Sequence, residues 1–582
     1  CAGWTRHDVS GSLTFPNSPP QGDAMIAVTF DQIKVAYAQA TVFADLTWDA
    51  HDDRVVGLVG PNGCGKSTIL KAITGEVRPS AGAISTRSNL TVGYLPQSVS
   101  FPEQASVFET VRHGAVELSK VEEELAKVES QLIDPAVYED EDALTAVLHE
   151  QEALLEAYNR LGGPSLESRI RSVLHSLGFR KSDFDRSVSI LSGGQKKMVG
   201  LAAQVINQPG LLLLDEPDNH LDFAGKMYLE QFLRNYNGGI IIVSHDRYLL
   251  DLVVDEIAEL EGGILTRFPG NYSEYVVEKE HQRALQEKRF ADQQKETRRL
   301  EQSAKRLLTW GAVFDNEKFI RRGQNILKRI ERMDKVERPY QQREMRLSID
   351  GWRGSTVVLE AKGLSKVYPL SDGSSETKVV LDHLDLLVRH GERVGLVGAN
   401  GSGKSVLFRL IREQETPTSG DVTRGPSVVT GYYAQEHETL NLDLSLIDNL
   451  RHAAGVSDTR AMQVLLRFAF TYDQARRPAG DLSGGERSRL QLAMIVLQRG
   501  NFLMLDEPTN NLDIRSAEIL EDALGELEGT VLVISHDRYF LDRVVDRIVE
   551  LKDGKLVNYA GGYSEYADKV GLHPQSDAEA GS

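Results

Sequence analysis

One ordered set of motifs occurs twice in this chain, and that repeat limits the fold more than any other feature. Gly60-Pro61-Asn62-Gly63-Cys64-Gly65-Lys66-Ser67 returns as Gly398-Ala399-Asn400-Gly401-Ser402-Gly403-Lys404-Ser405. Leu191-Ser192-Gly193-Gly194-Gln195 returns as Leu482-Ser483-Gly484-Gly485-Glu486, Asp215-Glu216-Pro217 as Asp506-Glu507-Pro508, and Ser244-His245-Asp246-Arg247-Tyr248 as Ser535-His536-Asp537-Arg538-Tyr539. Lys66 and Lys404 are 338 residues apart, whereas Ser192 and Ser483, Glu216 and Glu507, and His245 and His536 are each 291 apart. The first copy therefore carries 47 more residues between its glycine-rich loop and its Leu-Ser-Gly-Gly motif. They follow Gln97, which matches Gln435 at the longer offset.

The added segment is acidic. Residues 117–160 hold 13 acidic and 3 basic side chains, with Glu, Leu and Ala in helical proportion, and end at the breaker Gly162-Gly163-Pro164. An inserted helical hairpin over about 105–165 is expected. Between the copies the balance reverses: residues 276–346 hold 19 basic and 12 acidic side chains. Phe319, Gly323, Ile326, Ile330 and Met333 follow the 4-3-4-3 spacing of a coiled-coil seam. The stretch 276–306 is helical in composition, and 307–316, with Trp310, Gly311 and Phe314, reads as the turn. This predicts an antiparallel helical hairpin linker over 276–350, between an α/β domain at 25–275 and a second at 351–570. Residues 1–24 read as a disordered extension or as translated sequence upstream of a start at Met25, with a lipidated Cys1 as the other reading. Residues 571–582 read as a disordered tail.

Composition excludes some classes. Apolar residues make up 41% of the 582, enough for large cores, but no run approaches the ~18 needed to cross a bilayer. Two cysteines, Cys1 and Cys64, make neither a disulfide framework nor a zinc cluster, and a reducing cytoplasm fits them. The net charge of −19 argues against broad nucleic-acid binding by the whole surface, which makes the basic hairpin the exception to explain.

Each glycine-rich loop lies between a short apolar strand and a helical stretch, the context of a phosphate-binding loop. Gly60, Asn62, Gly63 and Gly65, like Gly398, Asn400, Gly401 and Gly403, let backbone N–H groups approach phosphate at a helix N-terminus. Lys66 and Lys404 would neutralise the β- and γ-phosphates of ATP, and Ser67 and Ser405 would hold Mg²⁺. Asp215 and Asp506 end apolar strands, where they would reach the metal through water. Glu216 and Glu507 come one residue later, placed to orient an attacking water. His245 and His536, after the next apolar run, would contact the γ-phosphate. A solvated acidic turn and an ordinary histidine are the bland alternatives, and two equivalent occurrences weigh against both.

The full set resembles the ATP-binding-cassette superfamily, of which Leu-Ser-Gly-Gly is the specific mark. The resemblance implies ATPase activity and head-to-tail pairing of the two domains within a monomer. Lys66, Thr68, Gln97, Glu216 and His245 would then share one nucleotide with Ser483, Gly484 and Gly485. Lys404, Gln435, Glu507 and His536 would share another with Ser192, Gly193 and Gly194. Gln97 and Gln435 would join the metal set, and Tyr37 and Tyr368 stand like the adenine-stacking aromatic, or are plain strand residues. Tandem cassettes without membrane helices, the insert, the hairpin, and Pro-Asp-Asn-His-Leu-Asp (217–222) with Pro-Thr-Asn-Asn-Leu-Asp (508–513) look like the ABC-F branch over residues 28–566. That likeness implies a cytoplasmic factor acting on the ribosome, in translation or in protection against antibiotics. Residues 298–332 would face rRNA and P-site tRNA near the peptidyl-transferase centre, and a basic ribosomal protein is a candidate partner for the acidic insert. The ATPase subunit of a transporter whose membrane helices lie on another chain is the alternative. Asp218 departs from the threonine that Thr509 keeps, which places an extra carboxylate near the first site.

Overall fold

A computed structural model describes residues 25–37, 40–102, 104–134, 137, 140–333, 355–369, 377–434, 439–468, 470–498, 500–510, 512–525, 527 and 529–571. The expected extension over 1–24, the tail beyond 571 and the linker beyond 333 lie wholly or mostly outside them.

Each cassette is built on a six-stranded sheet. In the first the order is Val92–Leu95, Leu211–Asp215, Gly239–Val243, Val55–Val59, Glu256–Glu261, Ile264–Pro269. The first five strands are parallel and the last is antiparallel. Leu211–Asp215 and Gly239–Val243 are buried at every position, as central strands covered on both faces require. A small antiparallel sheet of Ala40–His51, Ile26–Tyr37 and Ala81–Thr86 packs alongside. The second cassette repeats both sheets, with Thr430–Tyr433, Phe502–Asp506, Thr530–Ile534, Arg393–Val397, Arg547–Lys552 and Lys555–Ala560 in the same order.

The insert folds as two helices, Val116–Leu132 and Glu141–Arg160. Asp140 caps the second through Asp142 N and Ala143 N, and that helix buries none of its residues, so its acidic face is open to solvent.

The linker is also a hairpin, with boundaries that differ from the sequence reading. Its first helix starts at Tyr272, inside the expected first domain, and runs 42 residues to Val313. Trp310 and Gly311 are therefore helical. The turn is confined to 314–316, with Asp315 at φ 45°, and Asn316 caps the second helix, Glu317–Glu331, through Lys318 N. Gly311 is a contact rather than a breaker. A Cβ there would sit 2.5 Å from Ile320 Cγ1, and one on Gly323 would sit 2.7 Å from Leu308 Cγ. Ala304, Gly311 and Gly323 are the buried residues where the helices meet.

The cassettes also exchange side chains. Phe223 of the first packs into the second-cassette core against Tyr563, with ring centroids 4.9 Å apart. Ile514, its equivalent, packs against the first-cassette core. Among the described residues no helix is long and apolar enough to cross a membrane.

Candidate ATP sites between the cassettes

Both phosphate-binding loops turn sharply into a helix. Gly65 and Gly403, at φ 111° and 108°, precede the helices Lys66–Ile73 and Lys404–Ile411. A Cβ on Gly65 would meet Val42 Cγ1 at 2.5 Å, so the turn needs glycine twice over, for its conformation and for its space. Gly63 and Gly401 have nothing within 4 Å of where a Cβ would stand, which leaves the loop mouth open. Lys66 Nζ donates to Gly60 O at 2.8 Å and Pro61 O at 3.1 Å. Lys404 does the same to Gly398 O and Ala399 O at 2.7 and 3.0 Å. Thr68 lies two residues past Lys66 on the first helix.

Beside the first loop, Asp215 is buried with Oδ1 unpaired, while the Ser67 hydroxyl lies against its carboxylate. Burial pushes this carboxyl up, with Ser67 and Lys197 opposing. A buried anion with an open lone pair next to a hydroxyl suits a hard divalent cation. Asp506 is buried likewise, at the end of the strand beside the Ser405 loop.

Glu216 and Glu507 both adopt positive φ, 50° and 49°, a strained backbone for a non-glycine residue. Glu216 Oε2 accepts from Gln97 Nε2 at 2.8 Å and Asn219 Nδ2 at 2.6 Å, and Oε1 lies 3.7 Å from His245 Nε2. Glu507 Oε1 lies 3.6 Å from His536 Nε2, and its Oε2 accepts from His536 N at 3.3 Å. Burial, then the adjacent Asp506, pushes the Glu507 carboxyl up to about 8. Burial, then the Lys66 ammonium, holds His245 down at about 3.

The two sites are composite. Asn62 N donates to Asp513 Oδ2 of the second cassette at 3.2 Å, and Ser483 and Gly485 line the same cleft as Asn62 and Gly63. Asn400 N donates to Asp222 Oδ2 of the first at 3.0 Å, and its side chain to His220 O at 2.9 Å. Ser192 and Gly193 share a cleft with Asn400, Glu507 and His536. Ser192 caps the helix Gly193–Val205, and a Cβ on Gly194 would meet His220 O at 2.5 Å. Ser483 N and hydroxyl both donate to Glu486 Oε2, ahead of the helix Gly484–Gln498.

Gln435 lies outside the described residues. Tyr37 ends a strand, paired with Ala40, and its side chain lies outside them too. Tyr368 donates its hydroxyl to Glu415, and Lys366 Nζ lies over its ring at 5.1 Å.

Sequence reasoning missed the charges that close the interface. Arg247 forks onto Glu521 across it, with Nη1 3.2 Å from Oε2, and Arg538 donates to Glu230 Oε1 at 2.6 Å. Each guanidinium lies over a tyrosine of the opposite cassette, Arg247 over Tyr539 at 5.0 Å and Arg538 over Tyr248 at 4.3 Å. The repeated Asp-Arg-Tyr carried the signal, but its partners lie on helices whose charges look like solvated faces.

An ABC transporter family model matches residues 43–219 and 381–510, and a second model with the same description matches 258–349. The chain is 34% identical over 550 residues to ABC transporter F family member 5 of Arabidopsis thaliana, covering 93% of this chain and 77% of that one. It is 33% identical over 545 residues to the energy-dependent translational throttle protein EttA of Haemophilus influenzae, covering 92% and 94%. In fold it is similar to a chain in the crystal structure of the complex of archaeal ribosomal stalk protein aP1 and archaeal ribosome recycling factor aABCE1. The TM-score is 0.58 at 20% identity, over 93% of this chain and 92% of that one. Two cassettes paired head to tail and joined by a linker hairpin, with 34% identity over 93% of this chain and 77% of an F-family relative, place this ATPase in the ABC-F family.

Proposed function

We propose that the chain acts on the ribosome in the cytoplasm, using ATP binding to close its cassettes and hydrolysis to release them. The basic hairpin carries this reading. Arg298, Arg299, Lys305, Arg306, Arg321, Arg322, Lys328, Arg329 and Arg332 are all exposed on it, in a chain of net charge −19. Cations held away from acidic domains on a helical arm suit RNA phosphate. Trp310 and Phe314, 47% and 70% exposed near the tip, suit stacking on an unpaired base. The name of the EttA relative points to translation. In this reading the tip meets rRNA and P-site tRNA near the peptidyl-transferase centre, in a translation factor or in a protein that shields ribosomes from antibiotics. The acidic insert faces a basic ribosomal protein.

In each site the backbone N–H groups of the glycine loop and its lysine hold the phosphates, and the signature serine and glycines of the other cassette close over them. Glu216 and Glu507 orient the attacking water, and His245 and His536 hold the γ-phosphate end. Tyr37 and Tyr368 are the adenine contacts of this reading, and Gln97 and Gln435 stand at the metal and water. Ser67 with Asp215, and Ser405 with Asp506, would hold Mg²⁺, which spreads phosphate charge as the bond breaks.

The test uses ATP-trapped Glu216→Gln/Glu507→Gln protein, pelleted with ribosomes across a salt series. Arg321→Ala/Arg322→Ala/Lys328→Ala should weaken association and flatten its slope by about 0.7–0.9 in log affinity per log salt for each lost phosphate contact. Unchanged binding and slope would reduce the hairpin to a spacer.

A further inference from the structure

The two cassettes differ at two positions that meet in space. At the 291-residue offset relating Glu216 to Glu507, Asp218 stands opposite Thr509 and Lys226 opposite Ala517. Lys226 lies on the first-cassette helix Phe223–Arg234 and is 8% exposed. Its Nζ is 2.7 Å from Asp246 Oδ2 and donates at 2.9 Å to the carbonyl oxygen of His536, in the other cassette. Asp218, also buried, is the second carboxylate facing this ammonium, and Arg538 is the cation opposing it. Lys197 also lies near enough to Asp218 to favour its charged form. An ammonium withdrawn from water needs such partners, so Asp218 and Lys226 are best read as one paired change.

The atom that Lys226 reaches belongs to the second ATP site. His536 N donates to Glu507 Oε2 at 3.3 Å, and its ring nitrogen Nε2 lies 3.6 Å from Glu507 Oε1. The His536 backbone is thus held on one side by Glu507 of its own cassette and on the other by Lys226 of the opposite one. The first site lacks the second hold, because Ala517 has no donor to offer the His245 carbonyl.

We propose that Lys226 is a positioning residue of the Lys404 site: from across the interface it sets the His536 backbone, and through it the Glu507–His536 pair, making the two sites unequal. The Lys404 site would be assembled for hydrolysis only when the first cassette delivers its lysine, whereas the Lys66 site needs no counterpart. This rests on the assignment of Glu507 and His536 given above.

Site-resolved hydrolysis in the full chain tests it. Glu216→Gln leaves turnover to the Lys404 site, and Glu507→Gln leaves it to the Lys66 site. Adding Lys226→Ala should lower kcat at the Lys404 site about tenfold, as small misplacements of reacting groups do, with KM for ATP within about twofold. The Lys66 site should change by less than about twofold, since Lys226 meets the Asp246 side chain of that cassette and hydrogen-bonds neither to His245 nor to the glycine loop. Lys226→Ala alone strands two carboxylates, so the companion variant is Asp218→Thr/Lys226→Ala, which copies Thr509 and Ala517. It should unfold at the parental temperature and keep the kcat loss. Equal losses at both sites would make Lys226 a closure contact only. A parental Lys404-site kcat in the double change would make it a charge compensator only. Either result overturns the proposal. Glu216→Gln/Glu507→Gln separates the underlying assignment: turnover surviving there would remove the catalytic carboxylates, and this proposal with them.

Discussion

Arg247 of the first cassette pairs with Glu521 of the second, a carboxylate whose side chain has 0% exposure. Arg538 and Glu230 repeat the pairing with the cassettes exchanged. A charge pair shut away from water contributes little over an apolar contact, and removing Arg247 leaves Glu521 with Arg543 alone, 3.2 Å away.

Arg247→Ala should therefore weaken the closed form, by less than the about 3–5 kcal/mol of a wholly unpaired buried charge. ATPase activity should fall at both sites, while each cassette still binds nucleotide and unfolds near its parental temperature. Nucleotide titration beside turnover measures this. Arg247→Met with Glu521→Leu should recover most of the closure that the single change loses.

Glu216→Gln with Glu507→Gln should bind ATP with near-parental affinity and lose about 10²-fold or more in turnover. The amide keeps the size of the side chain but cannot take the proton of the attacking water. Single-turnover hydrolysis with a parallel binding isotherm reads both quantities. Parental turnover would remove these residues from their assigned role.

The histidines set a pH dependence. His245 is held at about 3 against the usual 6.5, by burial and then Lys66, and His536 is held well below by burial and then Lys404. The unfolded chain takes up protons at these rings where the folded chain does not. Stability is therefore complete above the unfolded value of 6.5 and declines as pH falls below it. In nucleotide-free protein the unfolding midpoint should drop between about pH 7 and about pH 5. His245→Gln/His536→Gln should flatten that limb.

The nucleotide motifs were legible in the sequence because their geometry dictates residue type. Gly65 and Gly403 must be glycine at φ 111° and 108°, and runs such as Leu211–Asp215 must be apolar to lie mid-sheet. Glu230 and Glu521 were not legible. Each lies on an amphipathic helix where a carboxylate normally meets solvent, and its partner is about 300 residues away in the chain, 308 for Arg538 and 274 for Arg247. Gly311 misled in the other direction: glycine breaks helices in isolation, but here it lets two helices approach closely. The charge exchange between Asp218 and Lys226 was half visible, because Asp218 broke the repeat while Lys226 looked like one more surface lysine.

That close approach gives a fourth expectation. Gly311→Val would push a branched side chain into Ile320, and overpacking of this kind costs about 1–3 kcal/mol. Limited proteolysis should cut the hairpin faster, while nucleotide binding and turnover stay at parental levels.

The hairpin root makes the linker a lever. Tyr272 donates to Glu518 of the second cassette at 3.4 Å, Tyr275 to Glu259 of the first at 2.8 Å, and Lys279 pairs with Glu259 and Glu261. The fulcrum thus touches both cassettes within about two turns of helix, and the rest of the helix, from 280 to Val313, is an arm. At 1.5 Å per residue the arm is about 50 Å long, so a tilt of about 5° at the root would sweep the tip through about 4 Å. Small rearrangements at the root would thereby be magnified into displacements the size of a base step.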